Sequence, residues 1–113
     1  MQQRRTRVTV RYIDDCPNWQ LLTVELGQLA AESDNIVVRT ERVASDQEAR
    51  DLEFRGSPTV LIDGVDPFLG KDTPTPADDH GALVCRLYRT PEGTAGRPTT
   101  AMLRQALADA AGD

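Results

Sequence analysis

The stretch VTVRYIDDCPNWQLLTVEL, residues 8–26, changes its hydrophobic period in the middle. Before Asp14 the pattern alternates. Val8, Val10 and Tyr12 share one face and Thr9 and Ile13 the other, as in an inner strand over residues 7–13, with Arg11 as the misfit. After Cys16 the period becomes helical: Trp19, Leu22, Leu26 and Leu29 recur three and four residues apart, so residues 17–32 read as an amphipathic helix. Pro17 suits the first helical position, where the amide it lacks would have no intrahelical partner. Cys16 therefore sits where a strand hands over to a helix. An inner strand leaves Arg11 little water, so its guanidinium is expected to be partly buried and paired with Glu41, Glu48 or Asp51.

Working outward, NIVVRTERV (35–43) reads as a second strand. Ser45 with Glu48 three residues on is a capping box, opening a short helix that contains Ala49 and Leu52 and ends at Gly56. Ser57-Pro58 forms a turn, and Thr59–Asp63 is the third strand. Residues 64–81 hold three prolines without helical or alternating pattern and read as a long loop. ALVCRLYR (82–89) is the fourth strand, and a Gly- and Pro-rich connection leads to a last helix with Leu103, Ala106, Leu107 and Ala110 as its buried stripe. The order βαβαββα fits one α/β domain over residues 1–113, built on a four-stranded mixed sheet with helices on both faces. In that sheet the third and fourth strands form an antiparallel hairpin.

At 113 residues the chain is large enough for one core and one site. A net charge of −5 argues against nucleic acid or an anionic membrane as partner, since both require clustered positive charge. Arg4, Arg5, Arg7 and Arg11 form the one basic cluster and read as a solvated terminus plus a strand residue. MQQRRTR leads into an alternating strand and not into the apolar run of a signal peptide, and no stretch is long and apolar enough to span a membrane, so a cytoplasmic location is expected. Two cysteines, Cys16 and Cys85, lie far apart without metal-ligand spacing, and a reducing compartment would keep both as free thiols.

Two motifs carry a resemblance. CPNW places Cys16 at the first strand-to-helix junction, and GSPT places Pro58 just before the third strand. In this order and context the chain resembles the thioredoxin-like superfamily over almost its whole length. With DDCPNW, FRGSPTVLIDGVDPF and CRLYRTPEGTAGRPT it looks similar to small bacterial thioredoxin-like proteins, some of them labelled alkylmercury lyase. The resemblance implies Cys16 as the catalytic thiol, supported by Asp15, Pro17 and Trp19. It also implies a cis bond between Ser57 and Pro58, which together form a substrate groove beside Cys16. No cofactor is implied, and the partner would be a protein or low-molecular-weight thiol. One departure matters: Trp19 stands where the second cysteine of a C-x-x-C motif would be. Disulfide closure within one helical turn is thereby excluded.

Cys16 chemistry stays open at this level. Unpaired amides at a helix N-terminus favour thiolate, whereas Asp14 and Asp15 disfavour it. Three uses remain: a single-thiol redox protein acting through a mixed disulfide that a second thiol resolves, a non-catalytic peptide- or protein-binding module, and a binder of thiophilic metal or organomercurial. Trp19, on the apolar helix face, reads as a core anchor. Cys85, a possible second thiol, lies mid-strand among Leu83 and Leu87 and reads as buried. In the proposed sheet it stands two strand spacings from Cys16, about 10 Å, too far for a disulfide. Asp63, Asp66, Asp78, Asp79 and His80 read as a solvated acidic loop, and no metal site is expected.

Overall fold

A computed structural model describes residues 5–14, 16–32, 35–54, 56–68 and 85–111. Its central strand is β1 (Thr6–Tyr12), flanked by β2 (Ile36–Arg42), which runs parallel to it, and β3 (Thr59–Ile62), which runs antiparallel. The alternation read from the sequence is the alternation seen. Val8 and Val10 are fully buried on one face, while Arg11 lies on the other beside its register partner Glu41. Arg11 Nε donates to Glu41 Oε1 at 2.7 Å, so the misplaced charge is only partly buried and has the carboxylate it needs.

Helix α1 (Asn18–Ala31) begins one residue later than expected, with Pro17 as its N-cap instead of its first helical residue, and buries Leu22, Leu26 and Leu29. These leucines pack with Leu103, Ala106 and Leu107 of the C-terminal helix onto Val8, Val10, Val60 and Ile62, forming the main core on one face of the sheet. Burying each such leucine or valine contributes about 1.5–3 kcal/mol, which outweighs the weak intrinsic tendency of a helix this short to form. The short helix α2 (Asp46–Asp51) carries the expected capping box: Ser45 Oγ accepts from Glu48 N–H at 3.1 Å, and Glu48 Oε1 accepts from Ala44 N–H at 2.8 Å. It ends earlier than expected, at Leu52, with Glu53 in the left-handed region at φ 53°. Gly56 has a different task, described below.

The fourth strand is corrected. Residues 82–84 lie outside the described residues, and Cys85 makes a single parallel bridge to Ser57 instead of extending the sheet. Strand β4 (Tyr88–Thr90) pairs with β5 (Gly93–Ala95) in a separate two-stranded hairpin that runs on towards α3 (Thr100–Ala111). Gly93 permits this turn at φ 112°, and Thr90 Oγ1 donates to its carbonyl at 2.5 Å. The described fold is thus mixed α/β, with a three-stranded mixed sheet, a hairpin and three helices, and not a single four-stranded sheet. None of the described helices is long and apolar enough to cross a membrane.

Candidate functional site

The site forms where β1 gives way to α1. Cys16 N–H donates to the Ile13 carbonyl at 3.3 Å, turning the chain out of the strand, and Pro17 then starts the helix. The turn places Cys16 at 1% exposure in a small second apolar cluster with Ile13, Val43, Ala49 and Phe54. These residues come from the ends of β1 and β2 and from α2 and its exit, so the pocket around the sulfur exists only in the folded chain.

Ser57 joins three segments at this point. Its Oγ accepts from Ile13 N–H at 3.1 Å, which fixes the end of β1. Its carbonyl accepts from Arg86 N–H at 2.8 Å and lies 3.6 Å from Cys16 Sγ. The Ser57-Pro58 bond is cis, as the resemblance implied, and both residues are buried. Residues 85 and 86 of the same chain therefore lie along the Ser57 backbone, where the groove for an extended partner was expected.

Cys16 and Cys85 are joined by a disulfide, with Cα atoms 6.1 Å apart, inside the range that such bonds span. This corrects the expectation of two separate thiols. That expectation placed Cys85 in a strand beyond β3, whereas the chain crosses beside Ser57 at the end of β3 nearest the β1–α1 junction. The expectation of a buried Cys85 is corrected as well. Cys85, Leu87 and Arg89 are exposed, and the alternating positions Arg86 and Tyr88 are buried.

Gly56 explains how the crossing segment fits. A Cβ built on it would stand 2.9 Å from Arg86 Cβ and 3.1 Å from Arg86 Cα, so only a residue without a side chain lets the two backbones meet. Its φ of 108° also suits glycine. Beyond this contact Arg86 is wholly enclosed. Its Nη1 donates to Asp66 Oδ2 at 2.5 Å and its Nη2 to Asp66 Oδ1 at 3.2 Å, and its guanidinium carbon lies 4.5 Å from the centre of the Tyr88 ring. The Tyr88 hydroxyl donates to the Pro58 carbonyl, and burial pushes its ionisation far above the ordinary tyrosine range. A forked ion pair, a ring and a carbonyl thus hold the segment after Cys85 against the start of β3.

Cys16 immediately precedes Pro17, the N-cap of α1, and its sulfur lies in an apolar cluster 3.6 Å from the Ser57 carbonyl. Asp14, expected to add negative charge, has a counter-ion: Arg42 Nε donates to Asp14 Oδ2 at 2.8 Å. Asp15 lies outside the described residues. Trp19 is half-buried, packs against the main core and stacks on Tyr12 with ring centroids 3.8 Å apart, so it anchors the helix start to the strand end.

The structure brings Cys16 together with Ser57-Pro58, as expected, and places beside them Arg86, Asp66 and Tyr88, which the sequence reading does not include. The alternation in CRLYR is visible in the sequence, but the expected phase, with Cys85 and Leu87 inward, is the opposite of the one observed. Of the residues read as an acidic loop, Asp66 pairs with Arg86, and Asp63 Oδ1 accepts from Arg7 N–H at 3.0 Å. Asp78, Asp79 and His80 lie outside the described residues. Among the described residues no three His, Cys, Asp or Glu side chains are grouped to hold a metal ion. Comparison of the chain with known protein families, with curated proteins and with solved structures gave no match.

Proposed function

We propose that this chain is a thioredoxin-like protein acting in reversible thiol–disulfide exchange, with Cys16 and Cys85 as its redox couple and a protein or low-molecular-weight thiol as its partner. The observation that carries the proposal is the bond between these two cysteines at the β1–α1 junction. Three further features support it. The first strand–helix–strand unit is parallel, β3 returns antiparallel, and Pro58 opens β3 beside Cys16. CPNW lacks a second cysteine within the helical turn, and Cys85, 69 positions later, takes that role.

The chemistry balances as a two-electron exchange. A partner thiolate attacks one sulfur of the Cys16–Cys85 bond, forming a mixed disulfide and releasing the other cysteine as thiolate. A second partner thiolate then attacks the partner's sulfur in the mixed disulfide. Two partner thiols leave as one disulfide, and their protons end on Cys16 and Cys85. The reverse direction reduces a partner disulfide.

The test is equilibration of the native protein in glutathione buffers of graded ratio, followed by acid quenching, alkylation and mass measurement. Both cysteines should change state together in one reversible two-electron transition. The protein should also accelerate reduction of a peptide disulfide by dithiothreitol, and Cys16→Ala and Cys85→Ala should abolish that acceleration. A native bond that resists about 10 mM dithiothreitol, together with no acceleration, would reduce the disulfide to a staple in a binding scaffold.

A further inference from the structure

We infer that Cys85, and not Cys16, is the sulfur that receives the partner's thiolate and carries the mixed disulfide. The inference rests on the redox reading above and reverses the role that position at a strand-to-helix junction suggests. Thiol–disulfide exchange requires the nucleophile to approach the attacked sulfur from the side opposite the leaving sulfur, so access to that sulfur decides which one reacts. The two halves of the bond differ sharply in this respect. Cys16 is 1% exposed, within the cluster of Ile13, Val43, Ala49 and Phe54, and the Ser57 carbonyl lies 3.6 Å from its sulfur. Cys85 is exposed, on the outward side of a segment whose inward residues, Arg86 and Tyr88, are buried.

The segment is also held in place independently of the disulfide. Arg86 N–H donates to the Ser57 carbonyl, the Arg86 guanidinium is clamped by Asp66, and the Tyr88 hydroxyl donates to the Pro58 carbonyl. Opening the bond therefore leaves Cys85 beside Cys16. The reaction follows from this geometry. Partner thiolate bonds to Cys85 Sγ, the Cys16–Cys85 bond breaks, and its electron pair leaves on Cys16, the residue before the first turn of α1. A second partner thiolate then attacks the partner sulfur and frees Cys85. Cys16 is the buried leaving group, and it recloses on Cys85 if the second thiol is slow.

The oxidised wild-type protein provides the test, so no variant has to fold. It is mixed with a large excess of glutathione or, separately, of an unstructured cysteine-containing decapeptide, and quenched in acid at a series of times. Peptide mapping then locates the first adduct. Adduct on Cys85 is expected over Cys16 by more than about ten to one, with Cys16 as the free thiol. A faster reaction with the decapeptide would assign a protein thiol as partner, and a faster reaction with glutathione a low-molecular-weight one. Adduct on Cys16, or equal amounts on both, would overturn the inference and leave the redox couple standing. No adduct and an intact bond with both probes would overturn the couple and the inference together.

Discussion

Reduction of the Cys16–Cys85 bond should lower the stability of the chain by about 4 kcal/mol. The perturbation is a non-thiol reductant such as a trialkylphosphine, which changes no side chain except the two sulfurs. The bond closes a loop with a sequence separation of 69. Loop-closure entropy for that length comes to about 4.4 kcal/mol at 25 °C, and it acts by restricting the unfolded chain. Unfolding entropy of about 2.1 cal/mol/K per residue then translates the loss into a drop in Tm of roughly 15–20 °C. Thermal unfolding followed by circular dichroism, with and without reductant, measures it directly. Cys85→Ser is the matching variant, because Cys85 is exposed and its replacement removes little packing. It should show the low Tm without reductant and no further drop with it. A shift below about 5 °C on reduction, or a Cys85→Ser protein as stable as the oxidised wild type, would refute the reasoning.

Three other substitutions test the surroundings of the site. Asp66→Asn leaves the fully enclosed Arg86 guanidinium without its carboxylate, and urea unfolding should register a loss of about 3–5 kcal/mol; a loss under about 1 kcal/mol would mean that Arg86 finds another partner. Gly56→Ala drives a methyl group into the Arg86 backbone at a positive φ and should cost about 1–3 kcal/mol by the same assay, with faster alkylation of reduced Cys16 as the segment loosens. The hydrogen bond from Arg11 holds the Glu41 carboxyl below its ordinary value, with a smaller contribution from Arg39 and against the opposing effect of burial. Its stabilising contribution is therefore fully present above the unfolded value of about 4.3 and is lost as pH falls through the lower folded value. Glu41→Gln should cost about 1 kcal/mol at pH 7 and flatten the acid limb of the stability curve; an unchanged acid limb would show that the pair does not contribute.

What the sequence determined alone is what short-range physics controls. The switch from alternation to helical spacing across Cys16 set the β1–α1 junction, and Ser45 with Glu48 set the start of α2, because periodicity and capping act within a few residues. Arg11 could be assigned a carboxylate partner because a charge in an inner strand has few alternatives, and Glu41 proved to be the one. The proximity of Ser57-Pro58 to Cys16 came from a resemblance and not from any local rule. The tertiary structure alone decided the state of the two cysteines. CRLYR supports two phases of alternation, and local pattern favours the one with Cys85 and Leu87 inward. A glycine at 56 that admits the Arg86 backbone, and a carboxylate at 66 that neutralises its charge, select the other phase. That choice turns Cys85 outward, lays it along Ser57 and brings it within bonding distance of Cys16. The controlling contacts join residues 20 to 69 positions apart, so no window of sequence contains both ends.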